Sequence, residues 1–189
     1  MSESIEVLKA EHTDMVRLFN ALEHQLGILA EGGTPDYDVV EGVVDYCLDY
    51  PDQCHHPKED IVFARLLDRN PEASKVVGNL EQEHAELAAL THEFADAVHR
   101  VHADAEVSRD AFVDLARKFL DAYRSHMTME ETVFFPLAIE SFMDQDWSYV
   151  DARITKRDDP LFGAEVAARF AELRDGILLW EREDEDAET

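Results

Sequence analysis

Apolar residues recur along most of this chain at alternating steps of three and four. The first series runs Ile5, Leu8, then position 12, Met15, Phe19, Leu22, Leu26 and Leu29. Such steps lay one stripe along a helix. Ser2 or Ser4 can cap its start, and Gly32-Gly33-Thr34-Pro35 ends it. A second segment covers about 36–68, with Val40, Val44 and Cys47 on one face and Phe63 and Leu66 continuing it. Pro51 and Pro57 interrupt it. Proline inside a helix removes a hydrogen bond and clashes with the turn before it, so a kink or short break is expected there. The third segment, about 72–103, reads Val77, Leu80, position 84, Leu87, Thr91, Phe94, Val98 and Val101. The fourth starts at Ser108 as N-cap and reads Phe112, Leu115, Phe119, Ala122, position 126, Met129 and Val133, with Pro136 marking its end region. No strand-like alternation of useful length appears. The expected fold is all-α: an up-down-up-down four-helix bundle over residues 1–142 with an additional C-terminal helix.

After about residue 143 the pattern changes. Asp158-Asp159-Pro160 can cap a fifth helix with Phe162, Val166, Phe170, Leu173, Ile177 and Trp180 on one face. This extension, 143–180, is expected to pack on the bundle or on a second copy of the chain, forming a homodimer. Residues 181–189 carry six acids and one arginine and are expected to be a disordered tail.

Composition narrows the function. The 189 residues include 43 acidic and 17 basic side chains, a formal net charge of −26. That balance excludes nucleic acid as a partner, since little here could neutralise phosphates, and it argues against an anionic membrane surface. No apolar run approaches the ~20 residues of a membrane span. Two cysteines make no disulfide framework, so a reducing cytoplasm is the expected compartment. Arginine outnumbers lysine 12 to 5. An acidic, lysine-poor surface fits a protein working in concentrated salt, where screening relieves the repulsion.

The positions skipped in the apolar stripes are histidines: His12, His84 and His126. A polar ring inside a bundle costs a few kcal/mol unless it is paired or ligated. The second helix adds His55 and Glu59 at i, i+4, and the fourth repeats that spacing with His126 and Glu130. Depth decides whether they meet. Counted from the helix ends at ~1.5 Å per residue, all fall in a slab roughly 12–20 Å from the same end of the bundle. A buried His/carboxylate cluster of this kind points to a metal site. His24, His92, His99 and His102 fall off the slab or the stripe and are expected to be exposed or structural. Tyr50 and Tyr123 are candidate donors behind the ligands.

These residues resemble the hemerythrin-like, or HHE cation-binding, family. The resemblance rests on Glu11-His12, on His55-His56-Pro57-Lys58-Glu59-Asp60, on Glu83-His84, and on His126-Met127-Thr128-Met129-Glu130-Glu131 before Phe134-Phe135-Pro136. It covers about residues 4–140. Membership implies two iron ions in a non-haem di-iron centre, with zinc or manganese as substitutes. Residue by residue it implies His12 and His55 on one iron, His84 and His126 on the other, and Glu59 and Glu130 as bridges. Two departures stand out. Oxygen-carrying members have a second histidine one turn after the third-helix ligand, where this chain has Ala88. They also have a longer spacing to the last carboxylate, which would select Glu131. Helix geometry favours Glu130, ~40° from His126 against ~140° for Glu131. Some regulatory members lack that second histidine and use a carboxylate beside the second-helix histidine; the equivalent residue here is His56, which is expected to fill the vacancy at the second iron.

The resemblance implies a protein that binds or senses dioxygen, nitric oxide or peroxide. The alternatives are an iron or redox sensor or storage protein without catalysis, and a peroxidase or nitric-oxide-detoxifying enzyme.

Overall fold

A computed structural model of the chain describes residues 3–103, 105, 107–154, 159–163 and 166–187. Among these residues every regular element is helical. Helix α1 (Glu3–Ala30) is followed by α2 (Tyr37–Asp49), a π-helical turn (Pro51–His55) and α3 (His56–Arg69). A 3₁₀ turn and the short α4 (Ser74–Val77) lead to α5 (Leu80–His102). Then come α6 (Arg109–Met129), a second π-helical turn (Glu130–Phe134) and α7 (Phe135–Ser141). Successive long elements pack side by side, and α6 closes back onto α1, so the four rods form a bundle.

The expected stripe of α1 is buried throughout, from Ile5 to Leu29. Of the two expected caps, Ser4 lies inside the helix with its hydroxyl on Asp151, and Ser2 falls outside the described residues. Asp36 caps α2 through the amides of Asp38 and Val39, Asn79 caps α5, and Ser108 caps α6 as its sequence position implies.

The break expected at the prolines of the second rod is a π turn, in which His55 and His56 donate their amides five residues back to Tyr50 and Pro51. The fourth rod does the same: the Phe135 amide reaches Glu130, and the rod continues through Pro136, in its expected end region, to Ser141. Each proline, Pro57 and Pro136, stands two residues beyond its π turn. Widening to i→i−5 bonding moves the chain away from the carbonyl a proline ring would strike. On the fourth rod only part of the expected stripe differs, since Phe112, Phe119 and His126 are buried as expected. Ala116, Tyr123, Glu130 and Phe134 are buried where Leu115, Ala122, Met129 and Val133 were expected, and those four are half-buried.

The apolar interior falls into two clusters. One, around Met15, Phe19, Phe94 and Phe119, fills the middle and far end; the other, around Leu8, Phe63, Leu80 and Phe134, fills the near end. The polar slab lies between them.

Beyond the bundle, α8 (Asp144–Asp151) is tied to α3 by Asp146, which accepts from Arg65 Nε and Arg69 Nε at 2.8 Å each and from the Met143 amide at 3.0 Å. The fifth helix expected after Pro160 begins later. Among the described residues, 159–163 form a turn in which Asp159 Oδ1 accepts from the amides of Leu161 and Phe162, and helical structure resumes only at Ala168. Asp159 therefore caps a turn, and Asp158, the other expected cap, lies outside the described residues. Helix α9 (Ala171–Ala187) runs past residue 180 into the stretch expected to be a disordered tail; residues 188–189 are not described. Its face of Leu173 and Ile177 is buried on α1 and α2. Gly42 lets it approach: a Cβ there would stand 3.0 Å from Leu173 Cδ2.

No helix among the described residues is long and apolar enough to cross a membrane. Cys47 and Cys54 are both buried and are not joined by a disulfide.

Candidate metal centre

All seven residues singled out from the sequence converge in the slab, and all are buried. His12 comes from α1, His55 from the first π turn, His56 and Glu59 from the start of α3, His84 from α5, His126 from α6 and Glu130 from the second π turn. Both rods therefore change helical pitch where they present carboxylate or imidazole inward, the setting in which π bulges recur.

Two groups share Glu59. His12, His55 and Glu59 form one; His56, Glu59, His84 and His126 form the other. Glu130 reaches both, with Oε2 at 3.4 Å from His12 Nε2 and Oε1 at 3.1 Å from His126 Nε2. Glu59 does likewise, Oε1 lying 3.2 Å from His55 Nε2 and Oε2 lying 3.5 Å from His84 Nε2. His12 and His55 face each other Nε2 to Nε2 at 3.0 Å. Donors about 2.1 Å from a common ion would be about 3.0 Å apart in octahedral and about 3.4 Å apart in tetrahedral arrangement, so these spacings suit a metal. His56 stacks on His84 with centroids 4.3 Å apart and planes 11° from parallel.

Six donor atoms inside this slab lack any hydrogen-bond partner: both oxygens of Glu59, both of Glu130, and Nε2 of His84 and His126. A buried unsatisfied polar atom costs roughly 1–3 kcal/mol. Six around one centre fit a cation and are poorly explained as packing.

Behind the imidazoles stands an outer layer of acids whose role there is not expected from the sequence, where Glu131 stands only as the alternative to Glu130. Glu11 Oε2 is 2.7 Å from His55 Nδ1, Glu131 Oε1 is 3.0 Å from His12 Nδ1, and Asp60 Oδ1 is 2.9 Å from His84 Nδ1. Glu83 Oε2 is 3.4 Å from His126 Nδ1 and Asp52 Oδ1 is 3.5 Å from His56 Nδ1. The Nδ1 atoms of His12, His55, His84 and His126 thus turn outward to hydrogen-bonded carboxylates, which fixes their tautomers and aims Nε2 inward, while Asp52 Oδ1 makes no hydrogen bond to His56. Glu131 occupies this outer role and is partly exposed, while Glu130 is fully buried. Four of these acids form a circuit: the residue after each rod's inward carboxylate, or before its inward histidine, holds the next rod's imidazole. The order is Glu131 to His12, Glu11 to His55, Asp60 to His84 and Glu83 to His126. Glu11 also accepts from Tyr50 Oη at 2.9 Å and from buried Lys58. Tyr123 hydrogen-bonds Thr91 at 2.9 Å and stacks on His56.

The charges answer one another. Burial alone would lower His12, but Glu130 and Glu59 outweigh it and push it up to about 10. His84 rises to about 9 against the same burial, through Asp60 and Glu130. His56 goes the other way, to about 4, because burial dominates and Asp52 offsets little of it. Burial and each other's charge oppose ionisation of Glu59 and Glu130, yet the imidazoles hold both below the usual carboxylate range.

A cleft of about 630 Å³ between α5 and α6 reaches His126, with Leu87, Leu90, Ala122 and Met129 among its walls. Of the other histidines, His24 lies against Trp180 with the rings tilted by 36° and His92 is exposed.

Among protein families, Hemerythrin, described as the hemerythrin HHE cation binding domain, matches residues 3–138. No curated protein and no solved structure matches the chain.

Proposed function

The chain belongs to the hemerythrin HHE cation-binding family, and from that premise we propose that its buried cluster holds a non-haem di-iron centre that binds or senses dioxygen, nitric oxide or peroxide. His12 and His55 would hold one ion, and His56, His84 and His126 the other. Glu59 and Glu130 would bridge them, with Glu131 orienting His12. A ferrous pair supplies the electrons that dioxygen chemistry requires; zinc or manganese could occupy the same donors without that chemistry.

The observation that carries this reading is the unequal sharing of donors around common carboxylates. Counting both bridges, one group offers four protein donors and the other five. An octahedral ion in the His12–His55 group would retain the more open coordination sphere, so an external ligand belongs there. Phe135, whose ring stacks 5.6 Å from His12, presents a buried apolar wall on that side. The chain's own contribution is orientation and charge: outer carboxylates keep Nε2 of His12, His55, His84 and His126 inward, and the bridges return two of the four positive charges of a ferrous pair.

The test is anaerobic reconstitution with Fe(II), followed by the absorption spectrum on adding dioxygen. Two irons per chain and a visible band that disappears on removing dioxygen support reversible binding. Retention of zinc alone, with iron bound weakly, overturns the reading.

A sensor without catalysis is favoured by one further observation, the six unpartnered donor atoms. Losing metal would leave them buried without hydrogen bonds, loosening the bundle beneath α9. Hydrogen exchange of α9 with and without metal tests this, and equal protection in both states refutes it.

A further inference from the structure

We propose a second, surface metal site in which Asp38 and Glu41 of α2 and His99 and His102 of α5 clasp a borderline divalent cation such as zinc. It lies apart from the buried centre: His102 is 18 residues beyond His84 on α5, roughly 27 Å along the axis.

The geometry comes from two helices that pack directly against each other. Asp38 and Glu41 stand three residues apart on α2, and His99 and His102 stand three apart on α5, so each pair shares a helix face. The faces meet. His102 Nδ1 is 3.3 Å from Glu41 Oε2, and His99 Nε2 is 3.8 Å from Glu41 Oε1. Asp38, Glu41 and His102 each offer a donor atom within 4.8 Å of the other two. Tyr37 braces the His102 ring edge-to-face at 6.2 Å.

The donor chemistry selects the ion. Two carboxylates could be met by any hard cation, but two imidazoles beside them suit zinc, cobalt or nickel over magnesium or calcium. The excess of acids over bases across the chain adds a favourable field for any cation. A bound ion would tie the first turns of α2 to the last turn of α5, at the end of the bundle that the buried centre does not reach.

The experiment uses the full chain and zinc alone. Equilibrium dialysis compares the wild type with the H99A/H102A double variant, whose changes fall on exposed side chains. The wild type is expected to bind one more zinc per chain than the variant. E41Q is expected to weaken that extra equivalent at least tenfold, and zinc should shift the imidazole NMR signals of His99 and His102. Equal zinc stoichiometry in wild type and H99A/H102A overturns the proposal. Neither result depends on whether the buried centre takes iron, because both proteins retain it.

Discussion

Replacing Asp60 with alanine removes the carboxylate that receives His84 Nδ1 at 2.9 Å and leaves the inward donors in place. A hydrogen bond to a charged group contributes about 1.5–3 kcal/mol. Asp60 keeps 35% of its side-chain surface exposed, so water replaces part of the loss. A net cost of about 1–2 kcal/mol in metal binding follows, which is roughly 5- to 30-fold in affinity. It should fall on one equivalent, the ion held by His56, His84 and His126. D60N keeps an acceptor oxygen and should lose less. E83A provides a graded control: its contact with His126 is 3.4 Å and Glu83 is more exposed, so a change under about threefold is expected. Competition against a chromophoric chelator resolves the two equivalents. Unchanged affinities in D60A, or equal weakening of both equivalents, would refute the idea that these acids orient individual ligands.

Metal should also stabilise the fold. At a free concentration 100 times its dissociation constant, one ion adds about 2.7 kcal/mol. For a chain of this size that is roughly a 5–11 °C rise in melting temperature, and a chelator should reverse it. Burial works against ionisation of Asp146, but Arg69, the Met143 amide and Arg65 hold its pKa at about 2, below the ordinary 3.8. Its stabilising effect is therefore present above pH 3.8 and lost as pH falls through about 2. D146N should melt lower than wild type at pH 7, with the gap closing near pH 2. Tyr46→Phe removes the hydroxyl that donates to Asp159 Oδ2 at 2.5 Å, with an expected cost of roughly 1–3 kcal/mol and faster proteolysis near Asp159. With a net charge of −26, the melting temperature should fall as salt is withdrawn; a salt-indifferent melt would contradict an adaptation to high salt.

The stripes of α1 and α5 were legible because a straight helix preserves its period, and the histidines interrupting them mark the slab directly. The fourth rod was harder to read. Its inward face takes in Ala116 and Tyr123 beside Phe112, Phe119 and His126, and steps of three or of four from Phe112 both stay on one helix face, so apolar spacing alone does not choose between Leu115 and Ala116. The available signal was local: Pro57 and Pro136 each sit where a continuous α-helix would clash. The fifth helix was placed too early because Asp159 before Pro160 can cap either a helix or a tight turn, and only Tyr46, 113 residues away, shows which. The outer acids Glu11, Asp60, Glu83 and Glu131 stood beside candidate ligands throughout. Among 43 acidic residues four neighbours carry no contrast until the rods are assembled.

The circuit of carboxylate and imidazole around the slab has no first member. Every rod receives one bond and gives one, so a rod that slipped a turn along its axis would break both at once. Ligand orientation and helix registration are thus the same quantity read in two ways. A chain assembled out of register should have little metal affinity, and metal retention becomes a check on correct folding as well as a sign of function. Two of the four rods gain this alignment through π turns, so restoring regular α pitch there by deleting one residue would disturb the site from both ends of the circuit.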